Sequence, residues 1–287
     1  THQAGFLIVV VLHNTTVSRV TMQTNNSHII SDRLCQEAIK IHVVGCGGTG
    51  SQLLPRLVQL HKGLVALGHP GGLDVVVWDD DEVSESNTYR QNFFTCDIGH
   101  NKAVVMVNRL NVAYGLDWRA MPERFTGDEA SNYRSRSHFV IGCVDTKASR
   151  REIDRFIRAQ TQPTYWIDSG NSADTAQIIV GLYSQRLASD PTRPPLLTEL
   201  YPDVLAGADD NTPSCSARES LTSQGIATNT MAATWIFSWL ATALRHGKID
   251  WTGVFLNLAS GRASSIPATP KAWDAINPNR IPLPEAA

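Results

Sequence analysis

Little in this 287-residue sequence is concentrated in one place. The five cysteines, Cys35, Cys46, Cys96, Cys143 and Cys215, are odd in number and scattered, with no C-x-x-C pair. That argues against a disulfide framework and against a tetrahedral zinc clip, and fits free thiols in the cytoplasm. There is no long run of one charge: 25 basic and 27 acidic residues leave a net charge of -2, so neither a nucleic-acid surface nor an acidic tail is indicated. The only continuous apolar run near the beginning, Phe6 to Leu12, is far short of a membrane span, and no Lys or Arg precedes it as a signal peptide requires. No internal repeat or low-complexity tract stands out. The expectation is a cytoplasmic globular protein that binds neither nucleic acid nor membrane.

What is present is an α/β pattern. A hydrophobic content of 42% suffices for one large core. Residues 1–40 read as an N-terminal segment with two short strands, Phe6 to Leu12 and Thr16 to Met22, and Met22 is a candidate translation start. From residue 41 to 287 the chain reads as one domain. Ile41 to Val44 is a buried strand, followed by a glycine turn and a helix from about Gly50 to Val65 with Pro55 in its second turn, where a kink or a tightening is expected. Leu73 to Trp78 and Phe139 to Val144 are further strands, with a helix over Asn101 to Asn111 between them. This alternation predicts a Rossmann-like, doubly wound, mostly parallel sheet. Later strands at Tyr165 to Asp168, Gln177 to Tyr183, Gly253 to Leu258 and Ala263 to Ala268 are expected to add antiparallel pairs. A helix over Ala227 to Arg245 stops at Gly247. Its Trp235, Ile236, Trp239, Leu240, Ala243 and Leu244 form an apolar face better suited to a core than to an interface. Leu187 to Pro213, rich in Pro, Asp and Gly, reads as a mobile crossover loop within about 187–225.

The chemistry is concentrated after the first strand of that domain. Gly45-Cys46-Gly47-Gly48-Thr49-Gly50-Ser51 lets the backbone approach a polyphosphate, and the helix that follows offers N–H groups and a positive dipole end. Alone, such a loop serves nicotinamide dinucleotides as well as ATP. Asp79, closing the next strand, suits ribose hydroxyls in either case. The sequences Ser86-Asn87-Thr88-Tyr89-Arg90-Gln91 and Gly99-His100-Asn101-Lys102-Ala103 discriminate, because a triphosphate has use for a guanidinium and an ammonium at that point. The competing reading is a solvated loop and a salt bridge at a helix end.

The ordered set G-x-G-G-x-G-S, D-x-D-x-V (Asp79, Asp81), S-N-x-x-R-Q and G-x-x-K-A resembles the ThiF/MoeB/HesA superfamily, which includes the ubiquitin-activating enzymes. The likeness covers about residues 40–150. The wording around the glycine loop, with Leu67-Gly68-His69-Pro70 before the second strand, is most similar to ThiF-like proteins of PRTRC and related bacterial ubiquitin-like operons. The resemblance implies ATP-dependent adenylation of the C-terminus of a ubiquitin-like or sulfur-carrier protein. It implies nucleotide contacts from Gly45, Gly47, Gly48, Gly50, Ser51, Asp79, Asp81, Asn87, Arg90, Gln91 and Lys102. Arg90 and Lys102 would also take part in catalysis, and Asp145 would hold Mg²⁺. Thr146 stands where relatives often have Asn, and neither Arg19 nor Arg33 matches the arginine that relatives reach into a partner's site. The missing C-x-x-C pairs point away from the sulfur-carrier branch.

Cys215 precedes Ser216-x-x-Glu219, a capping-box spacing, so its thiol would feel the positive end of a helix. The resemblance likewise implies a catalytic cysteine here, forming a thioester that passes to a conjugating-enzyme partner, with the activating enzyme a homodimer. Cys46 and Cys143 are expected to pack, and Cys35 and Cys96 to be structural. Three other readings stay open: a sulfur-carrier adenylyltransferase without an enzyme thioester, a scaffold that docks a ubiquitin-like protein, and a nicotinamide oxidoreductase.

Overall fold

The computed structural model describes residues 27–127, 137–207 and 226–280. Its centre is an eight-stranded sheet built on strict alternation of side chains. In strands β2 (Ile39–Val44) and β3 (Leu73–Trp78), Ile39, Ile41, Val43, Leu73, Val75 and Val77 enter one core, while Val44, Val76 and Trp78 enter a second core on the opposite face. Strands β5 (Phe139–Gly142) and β6 (Thr164–Asn171) repeat this, with Phe139, Ile141, Tyr165 and Ile167 on the first face and Val140 and Trp166 on the other. A sheet that is apolar on both faces must be covered on both. Helices α1 (Gly48–Ala66), α2 (Lys102–Tyr114) and the long α5 (Ile226–His246) contribute to the first core. Helices α3 (Lys147–Arg158), α4 (Leu197–Leu200) and α6 (Pro270–Ile276) contribute to the second.

Adding β4 (Arg119–Met121), β7 (Thr175–Tyr183), β9 (Trp251–Asn257) and β10 (Arg262–Pro267), the sheet order is β10-β9-β7-β6-β5-β2-β3-β4, while the two-residue β1 (His28–Ile29) and β8 (Lys248–Ile249) pair antiparallel apart from it. Pairs from β4 through β6 are parallel, and those from β6 through β10 are antiparallel. This is the predicted doubly wound sheet with antiparallel strands toward the C-terminus. The chain order reverses at β2, between β3 and β5, which opens a crevice at the C-terminal strand ends.

Several local expectations change. Residues 187–207 are ordered rather than loose: Leu196, Leu197 and Leu200 are buried, and the buried Arg193 binds Glu199 through two bonds of 2.6 and 2.8 Å. A guanidinium satisfied by a carboxylate and by the carbonyls of Leu182, Leu187 and Ala188 holds a proline-rich stretch that composition alone reads as a loop. Pro55 does not break α1. Lacking an N–H, it leaves the Ser51 carbonyl without its helical donor, and Asn92 Nδ2 donates there at 3.4 Å. On α5, Ile236, Trp239, Leu240 and Ala243 are fully buried, so the apolar face belongs to the core; Ile236 and Leu240 each contribute about 1.5–3 kcal/mol. Cys35 and Cys96 are exposed, not packed. No described helix is long and apolar enough to cross a membrane. Residues 1–26 and Cys215 lie outside the described residues.

Candidate active site

A cleft of about 1050 Å³ opens where β2, β3 and β5 end. It brings together Gly45, Gly47, Gly48, Asp79, Asp81, Asn87, Arg90, Gln91, Lys102 and Asp145 from the sequence-derived set. Gly50 and Ser51 are not part of its lining.

The loop's glycines have different reasons to be glycine. Gly45 has φ +94°, and a Cβ on it would lie 2.6 Å from the Cys143 carbonyl oxygen. A Cβ on Gly50 would lie 2.0 Å from the Gly45 carbonyl oxygen, and one on Gly48 would lie 2.4 Å from the Asn229 amide. Only Gly47 has open space above it, its nearest neighbour being Gln91 Nε2 at 3.9 Å. Three glycines therefore fold the loop, and one leaves room over it. Helix α1 starts here with no side-chain cap and no acidic residue in its first turn, so its first N–H groups and positive dipole end are available to an anion.

Asp79 braces the loop. Its carboxylate accepts from Cys46 N at 2.5 Å and from Asp81 N at 2.9 Å. Burial raises its pKa, against the Lys102 charge and those two N–H bonds. Asn101 caps α2 by accepting from Val104 N at 3.0 Å, and its Nδ2 donates to the carbonyls of Asp79 and Asp81. Lys102 is the first residue of α2, and its Nζ meets Asp81 at 2.7 Å. A buried cation at a helix N-terminus adds to the dipole's positive end, an arrangement unfavourable for folding and attractive to phosphate.

The segment carrying Asn87, Arg90 and Gln91 is latched from both sides. Asn87 Oδ1 accepts from Ser84 N at 2.9 Å, and Ser51 Oγ accepts from Asn92 N at 3.0 Å, so Ser51 holds this loop from within the core. Gln91 is nearly buried, and its Oε1 has no partner among the described residues. Arg109 binds Asp97 and donates to the Asn92 carbonyl at 3.1 Å. Burial works to raise the Asp97 pKa, but the bonds from Phe94 N and Arg109 outweigh it and hold the carboxyl below its ordinary value. A depressed folded pKa gives stability that is present above the unfolded value of about 4 and is lost as pH falls through the folded value. Urea midpoints taken between pH 6 and pH 2.5 are therefore expected to fall less in Asp97→Asn than in the wild type; parallel curves would contradict this.

Asp145 follows β5, and burial lowers the pKa of Arg90 while the Asp145 charge opposes the shift. Thr146 caps α3: its Oγ1 accepts from Ser149 N at 3.2 Å. Thr serves as an N-cap as Asn does, so Thr146 fills the cap position directly after Asp145. Arg150 donates to both oxygens of the buried Asp168, at 3.0 and 3.2 Å, and to the Asp145 carbonyl at 3.4 Å. Among the described residues no cluster of three or more His, Cys, Asp or Glu could hold a metal unaided. A single carboxylate beside a phosphate cradle still fits Mg²⁺, which keeps several waters and takes ligands from substrate phosphates. Cys46 is buried and Cys143 partly buried at the cleft; desolvation pushes the Cys46 thiol well above its ordinary pKa and the Cys143 thiol up to about 12.

The cleft also draws in Thr49 of the glycine loop, and Arg150, Asn171, Gln177, Asn229 and Arg262, which lie outside the motifs. Trp78 and Phe125 line it too, stacked edge to face at 5.3 Å.

A model of the ThiF family matches residues 29–272. The sulfur carrier protein ThiS adenylyltransferase of Escherichia coli (strain K12) is 33% identical over 124 residues, covering 40% of this chain and 49% of that protein. The match thus spans about half the length of that relative. Among solved structures, PaaA superposes with a TM-score of 0.57 at 15% identity, over 83% of this chain and 74% of that one. E. coli MccB with MccA-N7isoASN gives 0.54 at 15% identity, over 80% and 65%. MccB with ATP gives 0.50 at 16%, over 80% and 64%. At these identities the structures share a fold.

Proposed function

The chain belongs to the ThiF family, and from that premise we propose that it activates the C-terminal carboxylate of a small carrier protein by adenylation with Mg-ATP. The observation that carries this reading is convergence: an uncapped helix N-terminus, the open face of Gly47, Arg90, Lys102 and Asp145 all line one cleft. A polyphosphate with its cation satisfies that set.

In this reading Asp79 accepts from the ribose, and Val44, Trp78 and Phe125 offer an apolar wall for the base. Asn87, Arg90 and Gln91 bind the phosphates. The carrier's carboxylate oxygen bonds to the α-phosphorus, the bond from that phosphorus to the bridging oxygen breaks, and pyrophosphate leaves. Lys102 and Arg90 neutralise the charge that builds on the leaving group. Asp145 would hold Mg²⁺, which when bound supplies charge neutralisation at the phosphates.

The carrier is ubiquitin-like in the branch we assign, that of the PRTRC-type and bacterial ubiquitin-like operons. There the Cys215 thiolate attacks the acyl carbon, AMP leaves, and the thioester passes to a conjugating-enzyme partner. We place the enzyme in the cytoplasm as a homodimer. The relative named as a ThiS adenylyltransferase supports a second reading, in which adenylation occurs and no enzyme thioester forms. Isotopic ATP–pyrophosphate exchange, with either ThiS or a ubiquitin-like protein ending in Gly-Gly, tests the adenylation. No exchange with any such carrier overturns it. Cys215→Ala separates the two readings: a reducible enzyme–carrier adduct that disappears in the variant supports the thioester.

A further inference from the structure

Helix α5 sends one amide into the cleft from far along the chain. Asn229 is 1% exposed, lines the cleft, and lies against Cα of Gly48. Its Oδ1 accepts from Thr49 Oγ1 at 3.4 Å and from Asn171 Nδ2 at 2.9 Å, so donors from two different elements fix which way the amide faces. Its Nδ2 has no hydrogen-bond partner among the described residues. The neighbouring Thr228 is satisfied, donating to the Ala173 carbonyl at 2.6 Å. Leaving a buried N–H donor unmade costs more than the bond itself contributes, and folded proteins seldom do so without cause.

We infer that Asn229 is an oxyanion-binding residue of the adenylation reaction. This rests on the reading above. Nδ2 would donate to an anionic oxygen where the two reactants meet, between the glycine loop and the wall that ends in Asn171. That oxygen is either a phosphate oxygen of ATP or a carboxylate oxygen of the carrier's C-terminus. Shielded from bulk water, a bond from Nδ2 to an anionic oxygen is stronger than the same bond in solvent.

Asn229→Asp keeps the volume and the acceptor oxygens, and replaces the donor with a second oxygen. The dissociation constant of a nonhydrolysable ATP analogue, read by calorimetry, is expected to rise by about 10-fold or more if the partner is a phosphate. If it is the carboxylate, the KM of ThiS or of a ubiquitin-like protein ending in Gly-Gly rises by that factor in pyrophosphate exchange, and nucleotide affinity stays unchanged. The buried carboxylate is expected to lower the thermal midpoint, so both constants are read at a temperature where the variant is folded. Asn229→Ala serves as the second variant should Asn229→Asp not fold. A folded variant with both constants within about twofold of wild type overturns the proposal. Absence of exchange in the wild type counts against adenylation instead; calorimetry, which needs no turnover, then decides Asn229 alone, an unchanged affinity overturning it.

Discussion

Lys102→Ala is expected to lower carrier-dependent pyrophosphate exchange by about 10²–10³-fold, as loss of one preorganised charge in a shielded site does. The effect should fall on turnover more than on nucleotide affinity, because the ammonium matters most when charge develops on departing pyrophosphate. The fold should survive. Lys102 sits at the positive end of α2, where a cation is electrostatically unwelcome; its partner Asp81 is two-thirds exposed, and Asp79, which loses the lysine's charge, keeps its bonds from the N–H groups of Cys46 and Asp81. Lys102→Arg should rescue poorly, since a planar guanidinium cannot replace a compact point charge held at 2.7 Å by Asp81. Exchange within a few-fold of wild type in Lys102→Ala would remove this residue from the chemistry.

Gly50→Ala has the opposite signature. Its Cβ would meet a backbone oxygen, that of Gly45, at 2.0 Å. Gly45 has little room to retreat, because its N–H donates to the Trp78 carbonyl at 2.9 Å and the carbonyl of Val44 before it accepts from Cys143 N at 2.8 Å. The clash must therefore push the end of β2 away from the start of α1, at a cost of at least about 3 kcal/mol. Chemical denaturation is expected to show that loss with or without nucleotide. A variant with wild-type stability would mean that the loop tolerates far more movement than its contacts indicate.

The two variants mark what sequence could convey. The glycine loop, the strand-ending Asp79, Arg90 and Lys102 are legible because each lies within a short, ordered motif, and Asp145 because it follows an apolar strand; the structure lines one cleft with Gly45, Gly47, Gly48 and these four side chains. Their division of labour was not legible. A glycine that leaves room for a ligand and one that leaves room for a carbonyl are the same letter, and only the packing separates Gly47 from Gly50. Ser51 reads as a phosphate contact in the motif, yet it latches the Arg90 loop through Asn92. Pro55, read as a kink or a tightening, frees a carbonyl for that same latch. Asn229 was beyond reach of any motif, since it meets Thr49 across 180 residues of chain. Arg150 is only five residues past Asp145, but its role depends on Asp168, which the sheet brings alongside.

Transfer of label from ATP to the carrier tests adenylation most directly. With purified Cys215→Ala protein, in which no thioester can release AMP, Mg²⁺ and a carrier ending in Gly-Gly, label from the α-phosphate is expected to appear on the carrier in an acyl linkage, and label from the γ-phosphate is not. Carrier that gains γ-label, or that gains none while ATP binds the cleft, would contradict adenylation as the function of this site.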